Sequence, residues 1–97
     1  MGKKPLRKFE VFWTKEAENQ LNDLRISSRS DFKSVLKKIV KLVEAMEQNP
    51  FQGIRKPEPL KDYYPKSWSR RINKKDRLIY RVEKDTIYII SIIGHYE

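Results

Sequence analysis

Arg77-Leu78-Ile79-Tyr80-Arg81-Val82, then Glu83-Lys84-Asp85, then Thr86-Ile87-Tyr88-Ile89-Ile90-Ser91-Ile92-Ile93, is the stretch on which the fold turns. In its first part Leu78, Tyr80 and Val82 recur with the two-residue period of a strand. A turn falls near Lys84-Asp85. The last part is apolar at most positions, which predicts a strand buried on both faces and central in its sheet. Just upstream, Trp68 to Ile72 is a third strand-like run, and Asn73-Lys74-Lys75-Asp76 is the turn that joins it to Arg77. Three strands joined by short turns imply an antiparallel meander.

Toward the N-terminus the pattern changes twice. Phe9 to Trp13 is a short aromatic-rich strand with Val11 and Trp13 on one side and Phe12 on the other. Thr14 can cap a helix through its hydroxyl, and Ala17, Leu21 and Leu24 recur at helical spacing to about Leu24. Ser27-Ser28-Arg29-Ser30 breaks that helix, and Ser30 or a near neighbour can cap the next. There Leu36, Ile39, Val40, Val43 and Met46 form one apolar stripe, ending at Asn49-Pro50. Phe51 to Ser67, punctuated by Gly53, Pro57, Pro59 and Pro65, is expected to be a long loop, and long loops in small domains are often functional. The expected class is α+β in the order β-α-α-β-β-β, a two-helix hairpin packed on one face of a small antiparallel sheet. Residues 1–8 are expected to be a basic leader and residues 9–97 a single domain.

Composition narrows the function. The 97 residues suit one core, and Lys and Arg (22) outnumber Asp and Glu (13), for a net charge of +9. Charges in that excess repel one another, so a polyanionic partner is the natural explanation, nucleic acid first and then an acidic protein or an anionic membrane surface. There is no cysteine, which excludes disulfides, thiol catalysis and cysteine metal sites. No apolar run approaches membrane-spanning length. The N-terminus has no apolar stretch after its basic residues, and Leu6 sits where a myristoylation signal needs Ser or Thr. No membrane association, no metal and no cofactor are expected, and the expected location is the cytoplasm.

Half of the Lys and Arg residues fall between Arg55 and Lys84. Arg70, Arg71, Arg77 and Arg81 on a sheet, flanked by loop lysines, would attract phosphates, which guanidinium groups grip with two prongs. Tyr63, Tyr64, Trp68 and Tyr96 interleave with them, as in proteins that stack single-stranded RNA bases. For Trp68 and Tyr80 core packing is the stronger reading. His95, the single histidine, follows Gly94 at the rim of the last strand, where it could give or take a proton near neutrality. Glu58, stiffened between Pro57 and Pro59, is the matching acid. A salt bridge is the structural alternative for Glu58, and a packing role for His95.

Several fragments together resemble the YoeB/Txe group of toxins in the RelE/ParE superfamily. They are Asn49-Pro50-Phe51-Gln52-Gly53 leading into Lys56-Pro57-Glu58-Pro59-Leu60-Lys61, then Trp68-Ser69-Arg70-Arg71-Ile72, then Arg77-Leu78-Ile79-Tyr80, then His95-Tyr96. Phe12-Trp13-Thr14 through Glu16-Ala17 is similar too. The resemblance implies a ribosome-dependent endoribonuclease of a type II toxin–antitoxin system, cutting messenger RNA in the A site without metal. The RNA 2′-hydroxyl attacks the neighbouring phosphate, leaving a cyclic phosphate and a free 5′-hydroxyl.

Carried over by position, the resemblance makes Glu58 the base, helped by partial burial, and His95 the acid on the leaving oxygen. Arg77 and Arg71 neutralise charge on the transition state, Lys61 assists, and Tyr96 orients the nucleotide. Arg70 and Lys56 join the RNA-binding set. The implied partners are the ribosome, messenger RNA, an acidic antitoxin of the YefM kind and a second copy of the chain. Two departures from the group stand out. Glu97 follows the His-Tyr pair, and Ile92-Ile93-Gly94 stand where some relatives carry an arginine and an aromatic residue, so that arginine's share of phosphate contact must come from elsewhere. Two other readings fit the basic α+β frame: a ParE-like toxin acting on DNA gyrase, and an RNA-binding module without catalysis.

Overall fold

Thr14 closes the first strand and opens the first helix. Its backbone is extended (φ −71°, ψ 162°), and its Oγ1 accepts the Ala17 N–H at 3.2 Å, as a cap should. The same hydroxyl donates to the Ile89 carbonyl at 2.9 Å, and the Thr14 N–H donates there at 3.1 Å. One residue thus ends β1 (Glu10–Trp13), starts α1 (Lys15–Ile26) and ties both to the last strand. The computed structural model describes residues 9–27, 30–55, 57–60 and 66–93. The remaining elements are α2 (Phe32–Gln48), β2 (Glu58–Leu60), β3 (Ser67–Arg71), β4 (Arg77–Glu83) and β5 (Thr86–Ile93).

The strands form one sheet in the order β1-β5-β4-β3-β2. The meander is antiparallel, as its short turns require, and β5 lies inside the sheet. The expectation of an antiparallel sheet needs correction at one edge: β1 runs parallel to β5, with Val11 beside Ile87 and Trp13 beside Ile89. Two helices and most of the chain separate these strands, so no hairpin constrains their direction. The expected loop of residues 51–67 also contains a strand, β2, paired antiparallel with β3. Pro59 hid it, because proline argues against a central strand but is tolerated on an edge.

The helices cover one face of the sheet. Val35, Ile39, Leu42 and Met46 of α2 are buried against Ala17, Ile72, Leu78, Tyr80, Ile87, Ile89 and Ile92, with Trp68 packed alongside. Of the expected stripe, Ile39 and Met46 are buried here and Val43 packs against the core, but Val35 and Leu42 join them where Val40 was expected. Val40 is 50% exposed, while Val35 and Leu42, outside that stripe, are 1% exposed. α2 carries two apolar arcs, one on the sheet and one, with Leu36, Val40 and Val43, lining a groove shared with Leu21 of α1. Periodicity alone could not tell which arc met the sheet. Of the caps expected for α2, Ser30 or a near neighbour, the neighbour Asp31 holds the position, without a side-chain cap bond.

β5 shows why its sequence lacks clean alternation. The register with β4 slips between Ile79 and Tyr80: Ile79 lies opposite Ser91, but Tyr80 lies opposite Ile89. Ile90 is the extra residue of a bulge. A regular strand would send Ile92 to the face opposite Ile87 and Ile89; the bulge brings all three into the core. Gln20 of α1 secures the bulged segment by accepting the Ile92 N–H at 2.5 Å.

Candidate active site

The face away from the helices is where the charged residues gather. Arg71 of β3 lies directly opposite Arg77 of β4, and Glu58 of β2 lies opposite Ser69 of β3. Like charges directly opposite each other on two strands are destabilising, and Glu58 beside Arg77 offsets part of that repulsion. The register depends on the connection between the strands. Asn73 Oδ1 accepts the N–H groups of Lys75 (2.8 Å) and Asp76 (2.7 Å), and the Asp76 carbonyl accepts from Ile72 (2.8 Å). This asparagine turn delivers the chain back with Arg77 in line with Arg71.

Arg77 is the centre of the group. One of its Nη1 contacts is Glu58 Oε1 at 3.6 Å and another is Ser69 Oγ at 3.3 Å. The Arg77 side chain is 21% exposed and that of Glu58 is 55% exposed, so Glu58 is less buried than the resemblance led us to expect. Arg55, Glu58, Arg71 and Arg77 line a cleft of about 240 Å³. That is below the roughly 300–1,000 Å³ of drug-sized ligand pockets. Arg55 is the lining residue that sequence reasoning did not place in the site; its sequence signs were its nearness to Glu58 and its place at the start of the basic cluster that runs to Lys84. The groove between the helices is apolar, with Glu44 the one ionisable residue among the described residues that line it, and those residues offer no acid–base pair.

Arg70 goes elsewhere. It was expected to meet RNA, but its side chain is wholly buried on the helix side of the sheet. Nε donates to Tyr80 Oη at 3.0 Å, Nη1 to the Ile54 carbonyl at 3.2 Å, and Nη2 to the carbonyls of Asn49 and Gln52, both at 2.8 Å. Tyr80 in turn donates to the Pro50 carbonyl at 2.7 Å. Neighbouring residues on a strand face opposite ways, so with Arg71 on the cleft side Arg70 must point into the core. Gly53 (φ 121°) completes the cradle; a Cβ there would sit 3.3 Å from Arg70 Nη1.

Burial pushes the Tyr80 phenol above its ordinary value of 10.0, with the Arg70 cation pulling the other way. The folded state therefore favours the neutral phenol. The stability this site contributes is fully present below pH 10 and is lost as pH climbs through the raised folded value. Thermal melts between about pH 9 and pH 11 should show wild type losing Tm more steeply than Tyr80→Phe. Parallel slopes for the two proteins would rule the linkage out.

Arg81 lies further along the same face as Arg77, paired with Glu83 at 3.4 Å and set over the Tyr88 ring at 5.5 Å. Its distance along β4 keeps it out of the cleft. Lys56, Lys61, Tyr63, Tyr64, His95 and Tyr96 lie outside the described residues. Among the described residues no group of three or more His, Cys, Asp or Glu could hold a metal ion, and no helix is long and apolar enough to cross a membrane.

A family model of YoeB-like toxins of bacterial type II toxin–antitoxin systems matches residues 13–96. The chain belongs to the YoeB toxin family. It is 46% identical to Toxin YoeB of Synechocystis over 65 residues, 67% of this chain and 76% of the relative, and 42% identical to Toxin YoeB of Escherichia coli over 64 residues, 66% and 76%. Among solved structures, a YoeB/ParE toxin from Agrobacterium tumefaciens superimposes with a TM-score of 0.77 at 29% identity, covering 90% of this chain and 99% of that one. A Staphylococcus aureus YoeB dimer superimposes with a TM-score of 0.75 at 31% identity, covering 92% and 99%. The YoeB fold is thus the frame that carries the Glu58–Arg71–Arg77 cleft.

Proposed function

We propose that the chain is a ribosome-dependent endoribonuclease that cuts messenger RNA in the A site and so stops translation. The observation that carries this reading is the cleft itself: a carboxylate 3.6 Å from one guanidinium, with a second guanidinium paired across the strands. A carboxylate can take a proton, and the arginines can hold a phosphate while its charge grows. In the proposed step the 2′-hydroxyl gives its proton to Glu58 and its oxygen bonds to phosphorus. The bond from phosphorus to the 5′-oxygen breaks, and His95 supplies the proton to that oxygen. The products are a 2′,3′-cyclic phosphate and a free 5′-hydroxyl. Arg77 and Arg71 face the phosphate, and Lys61, Lys56 and Tyr96 are assigned to holding the nucleotide.

Primer extension on translating ribosomes, with free RNA as control, tests this directly. Stops within A-site codons, lost in His95→Ala, are expected. Intact messenger with broken chromosomal DNA would overturn it in favour of action on gyrase. Arg77→Lys keeps the charge but loses the two-pronged grip. It is expected to lower kcat by about ten- to a hundredfold with a smaller change in KM, and a change in KM alone would remove Arg77 from the transition state.

The net charge of +9 supports an acidic antitoxin as partner. A YoeB–YefM complex from Staphylococcus aureus superimposes with a TM-score of 0.74 at 31% identity, and we assign this chain a partner of that kind. We likewise propose the homodimer, by analogy with the YoeB dimer from that organism. The proposed action on ribosomes implies a cytoplasmic location.

A further inference from the structure

We infer that Arg55 binds a backbone phosphate of the RNA in the cleft, and that buried Arg70 acts through the loop to hold it there; this rests on reading the cleft as an RNA site. Arg55 has φ 63°, in the left-handed region that disfavours any side chain other than glycine, asparagine or aspartate. A residue kept in such a conformation is there because its surroundings over-determine it, and such residues gather at binding sites. The surroundings are visible. Arg70 clamps the carbonyls of Asn49, Gln52 and Ile54, the last belonging to the residue just before Arg55. Tyr80 clamps Pro50, the Phe51 N–H is accepted by Asn49 Oδ1 at 2.9 Å, and the Phe51 ring packs on Trp68 with centroids 5.2 Å apart.

The loop is thus pinned on the helix side of the sheet while Arg55 lines the cleft on the other side. On β5 the position paired with Arg77 is Ile93, so that strand adds no cation beside Arg77. Among the described residues the arginines lining the cleft come from β3, β4 and this loop. Among those same residues three guanidiniums and one carboxylate line the cleft, an excess that suits a polyanionic strand better than a neutral ligand. Arg70 touches no RNA in this scheme; it is a positioning residue.

The test uses a fluorescein-labelled 2′-O-methyl RNA oligonucleotide, which has no 2′-hydroxyl to attack, and follows its binding to the full chain by anisotropy over a range of salt. Arg55→Gly is expected to weaken binding by about threefold to tenfold and to reduce the slope of log K against log salt by about 0.7, the loss of one single-strand phosphate contact. Its Tm should equal or exceed that of wild type, because glycine relieves the left-handed backbone. Arg55→Lys should recover most of the slope. Unchanged affinity and slope in Arg55→Gly, or no binding by wild type, would overturn the proposal. So would a fall in Tm matching the loss of binding, which would make Arg55 a structural residue. Loss of cleavage in Glu58→Gln is scored separately, so the chemistry and the Arg55 contact can fail independently.

Discussion

Glu58→Gln is expected to lower messenger cleavage on translating ribosomes by about 10²- to 10⁴-fold, the usual contribution of a positioned general base. Glutamine keeps the shape and can still accept a hydrogen bond from Arg77, but it cannot take the 2′-hydroxyl proton. The fold should not notice. Glu58 sits on a three-residue edge strand with its side chain 55% exposed, and ion pairs this open contribute at most about 1 kcal/mol. A Tm within roughly 4–8 °C of wild type is therefore expected. The measurement is single-turnover cleavage by primer extension beside a thermal melt of the same sample. Wild-type cleavage by Glu58→Gln would remove it from the chemistry and leave Arg77 and Arg71 as parts of a binding site only.

Arg70→Met should show the opposite pattern, with stability falling first. The methionine fills much of the same space but leaves the carbonyls of Asn49, Gln52 and Ile54 and the Tyr80 oxygen without their donor. Hydrogen bonds from a charged group contribute about 1.5–3 kcal/mol each. Relief from burying the guanidinium offsets part of that, so a net loss of about 3 kcal/mol is expected. Against a total of roughly 5–15 kcal/mol for a domain this size that is a large fraction, and Tm should drop by roughly 12–24 °C. Arg70→Lys should fall between, since a single ammonium cannot reach three loop carbonyls and the Tyr80 oxygen together. A melt within about 2 °C of wild type would show the cradle to be unimportant to the fold. Residual cleavage, measured well below the variant's Tm, should fall as well, because the loop that loosens carries Arg55 and leads into Glu58.

The same cradle shows where reading the chain stops short. Arg70 and Arg71 are adjacent and chemically identical, so composition places both in the RNA-binding set. Their alternation on β3 sends one to the cleft and one to the core, and which goes where depends on the pairing of β3 with β4. That pairing follows from the asparagine turn at Asn73. Val40 and Leu42 pose the same problem on α2. Both belong to apolar arcs, and only the sheet beneath decides which arc is buried. β2 was hidden for a different reason: a three-residue strand with proline at its centre has no periodicity to detect.

By itself the sequence determined the two helices, the antiparallel meander, Thr14 as a cap, Trp68 and Tyr80 as core residues, and a basic surface suited to an anion. These follow from local rules, namely the period of apolar residues, the chemistry of caps and turns, and net charge, none of which needs a distant neighbour. Tertiary structure alone decided the parallel docking of β1 on β5, the bulge at Ile90, the burial of Arg70, and the meeting of Arg55, Glu58, Arg71 and Arg77 in one cleft. Each is a matter of register between segments far apart in the chain. A shift of one residue sends every side chain of a strand to the other face, so what lies in the cleft is settled only when the strands have paired.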